Sequence, residues 1–218
     1  MPDNSMHDNS MLDNSQFGDI FSSAPLMAIM RGMGAERSLA VATTAWNLGI
    51  DVVEVPIQTP DDVAALRAVA AAARERGKLV GAGTVISVEQ VAAALGAGAG
   101  FTVSPGFDLE VVRASAKVGL PSLPGVGTAT EVQLALKEGL TWLKAFPASV
   151  LGAGWFGAMH GPFPQATFVA TGGMSAGNAR GFLDAGARVV AVGSALEDES
   201  QLPMLASLLD GSQQPAAS

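Results

Sequence analysis

Two ionisable residues lie inside apolar runs of the sequence, where charged side chains are unusual. Lys144 lies within TWLKAFP, and Glu54 lies within DVVEVPI. Side chains alternate between the two faces of a strand, so Lys144 points away from the face that carries Leu143 and Ala145. Burial lowers the pKa of a lysine, and the neutral amine can then attack a ketone to form an imine. A purely structural ion pair between Lys144 and Glu54 is the alternative.

Glu54 is expected to face the same interior as Lys144, because Val53, Val55 and Ile57 share the opposite face of its run. The interior of a strand barrel is normally filled by branched apolar side chains. A carboxylate in that position predicts a general acid/base whose titration is coupled to that of the lysine.

Several other runs end in groups that could bind an anionic substrate. Arg31 ends the first run, and its guanidinium can hold a carboxylate through two parallel hydrogen bonds; a surface arginine without a function is the alternative. Thr84, in GAGT, could donate a hydroxyl hydrogen bond to the same carboxylate. The last two runs end in TGG and GS, which predict a phosphate site built from backbone N–H groups, or else ordinary turns. The residues of these turns are Thr171, Gly172, Gly173, Gly193 and Ser194.

The positions named above end short β-branched runs that alternate with Ala-rich amphipathic stretches. Several of these stretches begin at Asp, Ser or Thr and stop at Gly, as helices do. Eight such units predict a single-domain α/β fold, the (β/α)8 or TIM barrel, with an open doubly wound sheet as the alternative. The predicted strands are 25–31, 51–57, 78–85, 100–106, 121–127, 141–147, 167–173 and 188–194. The predicted helices are 36–49, 61–77, 87–98, 108–119, 128–139, 150–160, 175–186 and 201–211.

The two ends of the chain are expected to lie outside the barrel, which is assigned to residues 21–211. Residues 1–20 are polar and repeat Met-x-Asp-Asn-Ser three times, so they predict a disordered or short helical extension. Residues 212–218 are expected to form a flexible tail. His7 in the extension and His160, expected at a helix end, receive no role. No HxH, DxD or paired-carboxylate pattern predicts a metal site.

The overall composition narrows the classes of partner. The 218-residue chain has a formal net charge of -8 and a pI of about 4.6, which argues against nucleic acid or an anionic membrane. It has no cysteine, which excludes disulfides and cysteine-based zinc sites. No apolar run approaches the roughly 20 residues that span a bilayer, and no secretory signal is apparent. We therefore expect a cytoplasmic protein that binds a small molecule.

Several segments, in their order along the chain, resemble one enzyme family, the 2-keto-3-deoxy-6-phosphogluconate (KDPG) and 4-hydroxy-2-oxoglutarate (KHG) aldolases. This family includes the 6-phosphogalactonate aldolases. The similarity extends from about Pro25 to Leu196, and GAGTV and LKxFPA are its most specific parts. The resembling segments are VEVPIQTPDD, VGAGTV, FTVSPG, LPGVGTATE, LKAFPA, GPFPQATFVATGG and AVGSAL. The resemblance implies a homotrimeric TIM-barrel lyase, a class I pyruvate aldolase that needs neither a metal nor a cofactor.

The resemblance also assigns roles to residues of this chain. It implies that Lys144 is the Schiff-base lysine and Glu54 the acid/base, and that Arg31 and Thr84 bind the substrate carboxylate. Some members carry the carboxylate-binding arginine on the second strand, where this chain has Gln58, so Arg31 is expected to replace it from the first strand. The implied pocket residues are Pro105, Phe146, Thr171 and Gln58. The implied phosphate contacts are Gly172, Gly173, Gly193 and Ser194.

The reaction expected from the resemblance is the reversible cleavage of KDPG to pyruvate and glyceraldehyde 3-phosphate, with KHG as a second candidate substrate. Thr171, before the glycine pair, resembles gluconate-type members, and a 2-keto-3-deoxy-6-phosphogalactonate aldolase is the nearest alternative. A phosphate-binding barrel isomerase or epimerase that uses Lys144 and Glu54 for proton transfer is more distant. A non-catalytic binding or assembly protein with the same fold is the third alternative.

Overall fold

The computed structural model describes residues 12–210, and its strands form one parallel sheet that curls into a nearly closed barrel. The strands are β1 (Leu26–Ile29), β2 (Val52–Pro56), β3 (Leu79–Gly83), β4 (Phe101–Val103), β5 (Ser122–Leu123), β6 (Gly125–Val126), β7 (Trp142–Ala145), β8 (Thr167–Thr171) and β9 (Val189–Val192). Their hydrogen-bonded order is β5-β4-β3-β2-β1-β9-β8-β7-β6. Consecutive strands of the chain are therefore neighbours in the sheet, except β5 and β6, and β9 pairs with β1. This order confirms the predicted (β/α)8 barrel and contradicts the open doubly wound alternative.

The predicted strand 121–127 is divided into β5 and β6, with Pro124 between them. Proline has no backbone N–H and cannot continue a hydrogen-bonded ladder. β5 pairs with β4, whereas β6 pairs with β7. One continuous segment therefore supplies both ends of the sheet order, which explains nine strands where the sequence predicts eight.

Helices alternate with the strands, as the sequence predicts. They are α1 (Phe17–Ile20), α2 (Gly34–Leu48), α3 (Pro60–Glu75), α4 (Val88–Ala97), α5 (Leu109–Lys117), α6 (Ala129–Lys137), α7 (Ala148–Leu151), α8 (Gly154–His160), α9 (Ala176–Asp184) and α10 (Leu202–Asp210), with short 3-10 turns at Ser194–Leu196 and Glu199–Gln201. Thr59 and Thr128 begin α3 and α6 with capping boxes, which satisfy backbone N–H groups at each helix start. Gly49 ends α2 in the left-handed conformation that favours glycine.

Side-chain alternation divides the apolar residues into two clusters. Val53 packs between the sheet and the surrounding helices. Val52 and Trp142 instead belong to the cluster inside the barrel. Glu54 and Lys144 each lie two residues further along the chain, on the same faces as Val52 and Trp142. Both ionisable side chains therefore point into the barrel, as predicted.

The sequence predicts a disordered or short helical extension over residues 1–20, and a short helix, α1, is present at Phe17–Ile20. α1 and the turn after it place Phe17 and Phe21 inside the barrel, both fully buried. The Phe17 and Phe101 ring centres are 5.6 Å apart, and Phe21 stacks on Trp142 at 5.6 Å. These aromatic rings close the N-terminal end of the barrel and remove a large apolar surface from water.

Asn14 fastens this N-terminal segment to the barrel through its side-chain amide. Its Nδ2 donates to the carbonyl oxygens of Ser122 and Trp142 at 3.0 and 2.8 Å. Its Oδ1 accepts from the backbone N–H groups of Thr141 and Trp142 at 3.0 and 3.1 Å. Asn14 is fully buried, so these four bonds form away from water and are strengthened by the low local polarity.

His160 ends α8, as predicted, and its Nε2 lies 3.0 Å from the carbonyl oxygen of Gly186. The remaining predictions for the chain ends concern the Met-x-Asp-Asn-Ser repeats before residue 12, His7 and the tail 212–218, all of which lie outside the described residues. Within residues 12–210, no helix has both the length and the apolar character needed to cross a membrane.

Replacing Asn14 with alanine should destabilise the barrel, because the change leaves buried backbone groups without partners. We expect the free energy of unfolding to fall by about 2–4 kcal/mol, measured by urea denaturation. Gln16→Ala removes an exposed side chain of the same segment that makes no capping hydrogen bond, and it should change this free energy by less than about 0.5 kcal/mol. Equally small effects of the two substitutions would show that residues 12–20 do not support the barrel.

Candidate active site

Lys144 lies on β7 with its side chain in the barrel interior, and only 1% of the residue is exposed. Its Nζ lies 5.0 Å from the centre of the Phe146 ring. Its register partner on β6 is Gly125. A Cβ at Gly125 would lie 2.1 Å from the carbonyl oxygen of Pro105, so a side chain is excluded there. The backbone of Pro105 therefore packs directly against the strand next to Lys144.

Glu54 faces Lys144 inside the barrel and is fully buried. Its Oε1 lies 4.0 Å from Lys144 Nζ, which is beyond hydrogen-bonding distance. Neither carboxylate oxygen has a hydrogen-bond partner among the described residues. Gly83 provides the space for this carboxylate, since a Cβ there would lie 2.0 Å from Oε1. Because an unsatisfied buried carboxylate is costly, its retention points to a function that uses the free oxygens.

Burial lowers the pKa of Lys144 below its ordinary value, because the barrel interior solvates an ammonium poorly. The Glu54 carboxylate opposes this shift in pKa, and the Arg31 guanidinium adds to it. A lowered pKa favours the neutral amine that imine formation requires. A structural ion pair would explain the 4.0 Å approach of Lys144 Nζ and Glu54 Oε1, but it leaves both carboxylate oxygens without a hydrogen bond among residues 12–210.

A cavity of about 320 Å³ opens at the C-terminal ends of the strands, beside the Phe146 ring. It brings together seven of the predicted site residues: Arg31, Phe146, Thr171, Gly172, Gly173, Gly193 and Ser194. Its lining also includes residues that the sequence did not indicate: Ile29, Met33, Met174, Ala191 and Glu197. Glu197 follows a 3-10 turn and lies outside every strand, so no strand pattern could have indicated it. The other five predicted site residues do not line this cavity: Glu54, Gln58, Thr84, Pro105 and Lys144. Phe146 connects the two regions, because its ring lines the cavity and lies 5.0 Å from Lys144 Nζ.

Gln58 contacts Arg31 rather than the cavity. Arg31 Nη1 donates a hydrogen bond to Gln58 Oε1 at 3.1 Å. Arg31 follows β1 closely and Gln58 follows β2 closely, and these strands are paired, so the two side chains meet at the same edge of the barrel. The sequence predicts a polar contact for Gln58, and the structure identifies its partner: Gln58 orients the arginine.

Thr84 has a backbone φ of 58° and is the one non-glycine residue with a positive φ in the described part of the chain. Such a conformation costs about 1 kcal/mol or more and often occurs at functional sites. Thr84 directly follows β3, whose neighbour β2 carries Glu54. Thr84 therefore lies at the C-terminal mouth of the barrel, directly after the strand that neighbours the one carrying Glu54.

Steric constraints favour glycine at the two positions that follow β8. Gly172 and Gly173 have positive φ values of 96° and 73°. A Cβ at Gly173 would lie 2.2 Å from Ser149 Oγ, and one at Gly172 would lie 3.1 Å from the Phe146 ring. Thr171, just before them, is buried, and its Oγ1 has no hydrogen-bond partner among residues 12–210. Residues 171–173 thus expose backbone atoms without side chains, and one hydroxyl group without a hydrogen bond, at the cavity wall.

A match to a protein-family model shows which family this chain belongs to. The model described as "Aldolase: KDPG and KHG aldolase" matches residues 18–206. The chain belongs to this family. The 2-dehydro-3-deoxy-6-phosphogalactonate aldolase of Escherichia coli (strain K12) is 35% identical to it over 173 residues, 79% of this chain and 84% of the relative. The 2-dehydro-3-deoxy-phosphogluconate aldolase of Treponema pallidum (strain Nichols) is 40% identical over 160 residues, 72% of this chain and 74% of the relative.

A solved structure of the same family shows its chemistry. The KDPG aldolase of Legionella pneumophila superposes with a TM-score of 0.77 at 30% identity, over 89% of this chain and 96% of that one. Its crystal structure holds pyruvate captured at low pH as a covalent carbinolamine intermediate. The family therefore consists of lyases of the class I pyruvate aldolase type. Membership favours aldolase chemistry over the isomerase, epimerase and non-catalytic alternatives.

The lowered pKa of Lys144 can be measured from its rate of acetylation at different pH values. Because only the neutral amine reacts, the pH at half-maximal rate follows the pKa. We expect this midpoint to lie well below the ordinary pKa of a lysine side chain, with the Lys144 peptide quantified by mass spectrometry. Glu54→Gln removes the carboxylate that raises the Lys144 pKa, so it should lower the midpoint further. A midpoint at the ordinary lysine value, or an upward shift in the variant, would contradict the assigned cause.

Proposed function

We propose that the protein cleaves KDPG reversibly to pyruvate and glyceraldehyde 3-phosphate through an imine on Lys144. The observation that carries this proposal is the buried pair of Lys144 and Glu54, whose Nζ and Oε1 atoms are 4.0 Å apart. The pair supplies a nucleophile whose pKa is lowered and a proton carrier whose oxygens are free. These are the two groups that aldol cleavage through an imine requires.

Lys144 acts first, as the nucleophile. Its neutral amine attacks the C2 carbonyl carbon of the keto acid and forms a carbinolamine. Glu54 moves protons between the attacking nitrogen and the C2 oxygen, which leaves as water. With one proton taken up from solvent, the product is a positively charged iminium. This group withdraws electrons from the neighbouring C3–C4 bond.

Glu54 then acts as the general base for bond cleavage. Its carboxylate removes the proton of the C4 hydroxyl, and the C3–C4 bond breaks. The electron pair forms the C2–C3 double bond of an enamine, which neutralises the iminium, and glyceraldehyde 3-phosphate leaves. Glu54 then gives the proton of the C4 hydroxyl to C3, which restores the carboxylate, and water hydrolyses the resulting iminium. Hydrolysis releases pyruvate, the proton first taken up and the free amine of Lys144.

Arg31 and Thr84 bind the substrate carboxylate in this proposal. Arg31 lines the cavity, and its hydrogen bond to Gln58 leaves other guanidinium N–H groups free to donate to a carboxylate. Thr84 donates its hydroxyl from the neighbouring strand end. Fixing the carboxylate in this way orients C2 towards Lys144.

The turns after β8 and β9 bind the distal phosphate. Backbone N–H groups of Gly172, Gly173, Gly193 and Ser194 donate to it, as expected at these two strand ends of a barrel. Phe146 and Pro105 enclose the carbon chain between the phosphate and Lys144.

Thr171 supports the gluconate-type substrate. Its buried, unpaired hydroxyl can bind a substrate hydroxyl between the imine and the phosphate, and a threonine at this position resembles gluconate-type members. The galactonate-type relative from Escherichia coli keeps 2-keto-3-deoxy-6-phosphogalactonate as the second candidate. KHG is a further candidate, because the matching family model includes KHG aldolases.

The enzyme is further proposed to be a cytoplasmic homotrimer. The trimer is supported by the family resemblance, and the compartment by a chain without cysteine, which suits a reducing environment. Its partners are the phosphorylated keto acid and pyruvate.

Substitution of the nucleophile tests the proposed function. Lys144→Met should lower kcat for KDPG cleavage by at least about a thousandfold, because no other group can form the imine. Lys117→Met is the matched control and should leave the rate unchanged. Cleavage of KDPG, 2-keto-3-deoxy-6-phosphogalactonate and KHG is measured side by side through pyruvate release, with KDPG expected to have the highest kcat/KM. Wild-type cleavage of none of the three, or full activity of the methionine variant, would contradict the proposal.

EDTA should leave these rates unchanged, because the iminium accepts the electrons that a metal accepts in other aldolases. Loss of activity on chelation, restored by a divalent cation, would contradict this mechanism.

A further inference from the structure

An acidic side chain lines the end of the cavity where the proposed function places the phosphate. Glu197 shares this lining with the four residues of the proposed phosphate turns: Gly172, Gly173, Gly193 and Ser194. The backbone N–H of Glu197 donates to the Ser194 carbonyl oxygen at 3.1 Å. This hydrogen bond fixes the backbone of Glu197 one tight turn away from Ser194. Only 24% of its side chain is exposed, so water screens its charge incompletely.

A carboxylate in this position opposes the binding of a phosphate. A phosphate monoester carries a charge of about -1.5 to -2 near neutral pH, and like charges in a partly dehydrated cavity repel each other. The backbone N–H groups of the turns carry only partial positive charges. Arg31 cannot offset the repulsion, because the proposed function commits it to the carboxylate at the other end of the substrate. A compensating cation is therefore required near Glu197.

Arg37 supplies that cation. It lies on α2, and its Nη2 forms a salt bridge with Glu197 Oε2. Arg37 does not line the cavity itself, so its guanidinium acts on the cavity through the salt bridge to Glu197. The Arg37 side chain is 66% exposed, and an exposed pair of this kind adds little to folding stability. The Arg37–Glu197 pair can instead affect the charge of the cavity, because Glu197 lines it.

We infer that the Arg37–Glu197 ion pair determines whether the enzyme accepts a phosphorylated aldehyde end. Arg37 cancels the charge of Glu197, which would otherwise repel the phosphate. This inference rests on the proposed function, since it concerns the distal end of the same substrate. Both residues are specificity determinants that act on the charge of the cavity. If the pair only joins α2 to the turn after β9, its loss affects phosphorylated and unphosphorylated substrates equally.

The condensation direction tests the inference with two aldehydes that differ only in the phosphate. Pyruvate is combined with glyceraldehyde 3-phosphate or with glyceraldehyde, and the ratio of the two kcat/KM values is measured. Arg37→Ala should lower this ratio about tenfold, because it leaves the Glu197 charge uncancelled. Adding Glu197→Gln to this variant should restore the ratio to within about threefold of wild type. The penalty in the single variant should shrink as KCl rises, because salt screens charge.

Inhibition by inorganic phosphate tests the effect of the Glu197 charge independently. It should inhibit the reaction of pyruvate with glyceraldehyde less strongly in Arg37→Ala than in wild type. Arg113→Ala is the matched control, since it breaks another exposed arginine–glutamate pair, Arg113–Glu138, which does not line the cavity. This control should change neither the aldehyde ratio nor the inhibition by phosphate.

Three results would overturn the inference: equal effects of Arg37→Ala on both aldehydes, no effect on either, or no recovery in the double variant. Failure of the proposed function is recognised separately, because wild-type enzyme would then form no covalent adduct with pyruvate, which carries no phosphate.

Discussion

Burial of Lys144 and Glu54 in one barrel is the constraint on which the rest of the site depends. Removing an ammonium or a carboxylate from water costs several kcal/mol for each ion. The 4.0 Å separation of Nζ and Oε1 offsets part of this cost without closing a direct hydrogen bond. The pair therefore remains reactive: burial lowers the pKa of the lysine, and the carboxylate keeps free oxygens. The glycine at position 83 follows from this constraint, because any side chain there would occupy the carboxylate's space.

The aromatic residues at the N-terminal end of the barrel maintain this desolvation. Phe17 and Phe21 close the barrel floor and pack with Trp142, which precedes Lys144 by two residues on the same inward face. The side chains below the reactive pair are thus apolar. Access is left to the cavity at the opposite end, where Arg31 and the glycine turns offer donors for the two anionic ends of a substrate. The short helix α1 therefore helps to keep the barrel interior apolar at the end opposite the cavity.

The barrel and the inward direction of Glu54 and Lys144 could be predicted from the sequence, because strand alternation and helix punctuation are local signals. The family resemblance, now confirmed, indicated the reaction class. The anchoring by Asn14 could not be predicted, since its four backbone partners lie more than 100 residues away. The split at Pro124 is local, yet its pairing with two different strands depends on barrel closure. Glu197 was missed because its importance comes only from the cavity that it shares with the glycine turns.

Reductive trapping of pyruvate tests the central role of Lys144 most directly. Folded enzyme is incubated with pyruvate and borohydride, digested, and analysed by mass spectrometry for the increment of one reduced pyruvate per chain. The chain has four lysines, and we expect the increment on the peptide that carries Lys144, with Lys78, Lys117 and Lys137 unmodified. An increment on one of those three lysines, or none at all in folded protein, would contradict the account.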